Sequence, residues 1–159
     1  MASGKQIPAV DRSLRYDLTE GSHEAGVVAR CRDLTQGALR EWFGSAGSPD
    51  RPAAADALLL VSEVVTNART HGGDVSELRL EGTDRALWVQ VSDSCPTRPR
   101  PHGPHRADRS SGHGLYLLER LATRWGWVPR GPAGKTVWFE VEVLPEAPQV
   151  PEAPGATRS

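Results

Sequence analysis

Ser62-Glu63-Val64-Val65-Thr66-Asn67-Ala68-Arg69-Thr70-His71-Gly72 closes a long apolar run, and its reading decides the fold. Leu58, Leu59, Leu60, Val61, Val64, Val65 and Ala68 supply the apolar positions. A helix turns once per about 3.6 residues, so Glu63, Asn67 and His71 fall on one face at successive i, i+4 steps. A carboxylate and a carboxamide set into an apolar helix are costly to bury without a partner. A polar ligand on that face is the expectation.

Working outward, residues 53–71 read as one helix, stopped at Gly72-Gly73 by a left-handed glycine. Before it, residues 44–52 form a Gly/Ser/Pro loop, and residues 24–43 form an earlier helix with Ser22 as its N-cap. Leu14, Tyr16 and Leu18 alternate as a short strand does. After the central helix, Leu78 and Leu80 share one strand face. Leu87, Val89 and Val91 share a face of the next strand, with Trp88 and Gln90 opposite. A turn at Gly82-Thr83-Asp84 joins the two as an antiparallel hairpin. Residues 94–112 form a long loop rich in proline and arginine, the kind of connection that is usually functional. A third helix runs from Gly114 to about Thr123, and two strands follow, Trp125 to Val128 and Lys135 to Val143. Val137, Phe139, Val141 and Val143 share one face of the last strand.

Strands grouped beside three helices give an α+β fold: a two-layer sandwich with a mixed or antiparallel sheet and helices on one face. The organisation is a flexible N-terminus over residues 1–12, one domain over 13–144 and a proline-rich disordered tail over 145–159.

Composition excludes several classes of function. The chain has 159 residues, enough for one domain with a proper core, and a net charge of −1. That charge gives no electrostatic case for nucleic acid or anionic membrane as partner. No stretch approaches the ~18 apolar residues of a membrane span, so a cytoplasmic protein is expected. Cys31 and Cys95, without a secretory signal, are expected to remain thiols. Lys5 and Lys135 are the only lysines among 19 basic residues, an arginine bias expected of a GC-rich genome.

Several residues have chemistry to offer. Asp93 ends the second hairpin strand with the parity of Leu87, Val89 and Val91, which points it to the helix-covered face. There it either accepts hydrogen bonds from an exocyclic amine or ends the strand as an ordinary turn residue. Glu63 suits a general base and Asn67 an oxygen ligand for Mg2+, unless both are solvent-facing residues of an amphipathic helix. His71 is placed to cap the carbonyls of its helix or to meet its dipole. Ser110-Ser111-Gly112-His113-Gly114-Leu115 opens the third helix, where free N–H groups and the helix dipole favour a phosphate. His102, His105, His113 and Cys95 fit no common zinc spacing.

The order of these features adds to their meaning: E-x-x-x-N-A-x-x-H on a helix, a strand-terminal Asp, a long loop, then G-x-G-L opening a helix. Gly134-Lys135-Thr136-Val137 leads into the last strand. The set resembles the Bergerat-fold (GHKL) ATPases over residues 14–143, in particular the small single-domain proteins related to anti-sigma factor serine kinases. Ser62–Ala68 is similar to that family's N box, and Gly112–Leu115 to its second glycine box. The resemblance implies ATP and Mg2+ as cofactors. It makes Asn67 the Mg2+ ligand, Glu63 the base that activates the attacking hydroxyl, and Asp93 the reader of the adenine amine. Gly112, His113, Gly114 and Leu115 would lie at the phosphates, Thr136 would contact the nucleotide, and residues 94–112 would form a lid. The implied function is a protein serine kinase acting on an anti-sigma factor antagonist and controlling a sigma factor by partner switching, with homodimers a common state. The alternative is a regulatory module whose ATP or ADP state selects partners without phosphotransfer. Autophosphorylation on histidine is not expected, since the length leaves no room for a phosphoacceptor helix pair.

Two departures stand out. The family's first glycine box is often D-x-G-x-G, whereas this chain has Asp93-Ser94-Cys95-Pro96. Relatives often place a threonine directly after the glycine before the last strand. Here Lys135 takes that place and Thr136 follows.

Overall fold

The structure, a computed structural model, describes residues 10–20, 26–71, 73–96 and 114–144. Its elements in chain order are β1 (Arg12–Asp17), α1 (Val27–Phe43), α2 (Pro52–Thr70), β2 (Val75–Gly82), β3 (Ala86–Asp93), α3 (Gly114–Leu121), β4 (Arg124–Pro129) and β5 (Lys135–Glu142). Short 3-10 turns span Gly44–Gly47 and Gly131–Ala133. The expected proline-rich tail, most of the arginine-rich loop, Ser22, Gly72, Gly112 and His113 lie outside the described residues.

α2 forms because its apolar residues recur with the helix period. Ala54, Ala57, Leu58, Val61, Val64, Val65 and Ala68 are all buried, along with Leu60. Each fully buried Leu or Val contributes roughly 1.5–3 kcal/mol, and Leu58→Ala would cost about 2–5 kcal/mol. Pro52 occupies the first turn, where its missing N–H costs nothing. α1 buries Val27, Cys31, Thr35, Ala38 and Leu39 in the same manner. The Thr35 hydroxyl, fully shielded, donates to the Cys31 carbonyl at 2.7 Å and so is not left without a partner.

The start of α1 differs from the sequence reading, whereas the end of α2 falls within a residue of it. α1 begins at Val27 with Gly26 at its N-cap and no side-chain cap, later than a Ser22 cap requires. α2 ends with His71 at the C-cap in a right-handed conformation (φ −89°). Gly73 has no positive φ; the described residues with positive φ are Gly44, Gly131 and Gly134. Gly73 is needed for space, because a Cβ there would meet the Cys95 Cβ at 2.9 Å.

The sheet is antiparallel throughout, in the order β1-β2-β3-β5-β4. Leu78, Leu80, Leu87, Val89, Val91, Val137, Phe139 and Val141 form its inner face and join α1, α2 and α3 in one core. The outer face carries Trp88 stacked on Trp138, ring centroids 5.5 Å apart. The result is the expected α+β two-layer sandwich, resolved from "mixed or antiparallel" to antiparallel.

The candidate nucleotide site

Three segments converge at one end of the inner face: the C-terminal end of α2, the end of β3 and the start of β5. Register places Asp93 opposite Lys135, and Val75 opposite Asp93 on the other side. The connection after α2 is tied to the residues after β3. Ser94 N–H donates to the Asp74 carbonyl at 3.0 Å, and Asp74 N–H donates to Ser94 Oγ at 2.8 Å. The turn before β5 is pressed against the same spot, since Gly134 packs directly on the Asp93 carbonyl.

Asp93 faces inward, as its parity predicted, and is 1% exposed. Its Oδ1 accepts from the Cys95 N–H at 2.8 Å and from Lys135 Nζ at 3.0 Å. Burial pushes the Asp93 carboxyl above the usual carboxylate range, while Lys135, the Cys95 N–H and the nearby His71 pull it back. The end of α2 lies close to the strand end, since a Cβ on Gly73 would meet the Cys95 Cβ at 2.9 Å and the Ala68 carbonyl at 3.3 Å.

Glu63 and Asn67 lie half-buried along the margin of the α2 stripe, one turn apart. His71, one turn further, stands at the C-cap of α2. Its Nε2 lies 3.1 Å from Asn67 Oδ1, so the imidazole fixes the carboxamide. Among the described residues no cluster of three or more His, Cys, Asp or Glu side chains forms a metal site.

The remaining expectations divide. Gly114 and Leu115 form the first turn of α3, with Leu115 packed in the core. Thr136 faces the other side of the sheet from Asp93. It alternates with Lys135 and Val137, and its hydroxyl pairs with Ser92 Oγ at 2.8 Å on the outward side of β3 and β5. Lys135 is the residue that sequence reasoning passed over. Parity with Val137 and Phe139 was sufficient to place it inward.

Residues 25–141 match the sequence model of the histidine kinase-like ATPase domain. The chain belongs to this family. Among solved structures, it is similar to the histidine kinase domain from Erythrobacter litoralis EL346 blue-light activated histidine kinase. Identity is 23%, covering 73% of this chain and 61% of that one, with a TM-score of 0.45. The chain thus spans about three fifths of that domain. Among curated proteins, none matches the sequence.

Membership makes this histidine kinase-like ATPase domain an ATP-binding fold, and the residues present suit the ligand. A buried carboxylate acceptor with a second oxygen to offer fits the adenine amine. A half-buried carboxamide fixed by His71 offers the hard oxygen that Mg2+ takes. No helix among the described residues is long and apolar enough to cross a membrane.

Proposed function

We propose that the domain is a protein serine kinase that uses Mg-ATP to phosphorylate a small anti-sigma factor antagonist, and so controls a sigma factor by partner switching. The observation that carries this reading is the pairing of Glu63 with Asn67 on one half-buried margin of α2, whose end meets the end of β3 where Gly73 packs against Cys95. Bound Mg-ATP supplies the phosphoryl group and neutralises its charge. Asp93 orients the base, Asn67 contributes a carboxamide oxygen toward the metal, and Glu63 takes the proton of the acceptor serine. Such chemistry is mainly positioning and charge stabilisation, so a site of few residues suffices.

A second reading is a non-catalytic module whose partner choice follows its ATP or ADP state. It draws on Asp93-Ser94-Cys95-Pro96, where glycines stand in many relatives. Such a module needs only differential affinity between its states.

Calorimetry with Mg-ATP, wild type against Asn67→Ala, tests nucleotide binding. Phosphotransfer to an antagonist carrying the acceptor serine then separates the readings. The kinase requires Glu63→Ala to abolish transfer while ATP still binds. Transfer at the wild-type rate would remove Glu63 as the base, and binding without transfer to any antagonist would leave the module.

A further inference from the structure

The proposed chemistry gives Lys135 no task, yet the fold buries it. Its side chain is 5% exposed and that of Asp93 2%. Shielding an ammonium from water is expensive even beside a carboxylate, and a pair of apolar residues would serve stability as well or better. The choice of cation also matters. Arginine dominates the basic residues of this chain, but a guanidinium fork would engage both carboxylate oxygens of Asp93. The lysine ammonium is a point donor. It reaches Asp93 Oδ1 at 3.0 Å and the Cys95 carbonyl at 3.2 Å. Both contacts to the Asp93 side chain fall on Oδ1. Two of the three ammonium protons are used among the described residues, so an acceptor and a donor stand side by side.

Adenine shows the complementary pair on one edge: the exocyclic amine donates, and the adjacent ring nitrogen N1 accepts. Resting on the nucleotide-binding reading above, we propose that Lys135 is a base-reading residue that donates to N1 of adenine while Asp93 accepts from the neighbouring amine. Two features of the fold hold it there. The β3–β5 register sets Lys135 opposite Asp93. Thr136, the neighbouring hydroxyl, points to the other side of the sheet and is committed to Ser92. A base carrying N1–H and an exocyclic oxygen, such as hypoxanthine, sets donor against donor and acceptor against acceptor and is rejected. Sites built to hydrogen-bond a ligand discriminate strongly against analogues that leave their polar groups unpaired.

The test is calorimetry of the full chain with Mg-ATP, Mg-1-deaza-ATP (N1 replaced by C–H) and Mg-ITP. Wild type is expected to prefer ATP over 1-deaza-ATP by on the order of ten- to a hundredfold, the range of one hydrogen bond to a charged group. Lys135→Met is expected to lose that preference, binding the two alike, because the group that distinguishes them is gone. A lysine that merely props Asp93 would weaken both ligands equally and leave the ratio unchanged, which overturns the proposal. Equal binding of ATP and 1-deaza-ATP by wild type overturns it too. Asp93→Asn/Lys135→Met removes both buried charges together and covers the case in which Lys135→Met alone does not fold. It too is expected to lose the preference, and retention of the wild-type ratio counts against Lys135. No binding of any nucleotide by folded wild type overturns the nucleotide reading itself, and this inference with it.

Discussion

Gly134 lies so close to Asp93 that a Cβ on it would stand 1.9 Å from the Asp93 carbonyl oxygen. Its φ of +122° is also one that side chains rarely adopt. Both constraints act on the two strands that bring Asp93 and Lys135 together. Gly134→Ala is therefore expected to destabilise the domain by about 1–3 kcal/mol and to lower the melting temperature by several degrees. Thermal denaturation by circular dichroism measures it, and an unchanged melting temperature would show that the β5 entry relaxes freely.

The buried pair makes a sharper prediction. Removing one partner leaves an uncompensated charge where water does not reach. Asp93→Asn or Lys135→Met alone is expected to cost about 3–5 kcal/mol in denaturant unfolding, whereas Asp93→Asn/Lys135→Met should recover much of that loss. Additive losses in the double variant would mean that the two side chains are stabilised independently. The size of the coupling, not the single losses, measures how far the pair acts as a unit.

The thiols are expected to differ. Cys31 is fully shielded within α1, and burial pushes its thiol up to about 11, so almost none is thiolate at neutral pH. Cys95 is partly exposed at the site. A chromogenic disulfide reagent should modify Cys95 in the native protein and reach Cys31 only after unfolding. Rapid modification of both would show that α1 opens readily.

Much of this architecture was legible because its cause is periodic. The α2 stripe, the hairpin parity and the inward direction of Asp93 all follow from spacing alone. The start of α1 was not legible, since Ser22 and Gly26 are both acceptable local caps and the helix begins after the second. The Asp93–Lys135 pair joins residues 42 apart, and only the β3–β5 register brings them opposite. Thr136, a nucleotide contact only by resemblance, is turned to the other face by the alternation through Val137 and Phe139. His71 stands at the C-cap of α2, and its i, i+4 spacing to Asn67 supplies a further bond that the capping expectation did not include.

That bond leads to the last prediction. The His71 imidazole holds Asn67 Oδ1, the oxygen proposed to face the metal, and groups that orient a ligand in this way typically contribute ten- to a hundredfold in metal affinity, roughly. His71→Ala leaves the carboxamide free to rotate without removing it. ATP affinity measured at saturating Mg2+ should then change little, while the Mg2+ concentration needed for half-maximal binding should rise on the order of tenfold. In EDTA the variant and wild type should bind ATP alike. If instead His71→Ala weakens ATP equally with and without Mg2+, His71 acts on the nucleotide or on Asp93 directly, and Asn67 is oriented by other means.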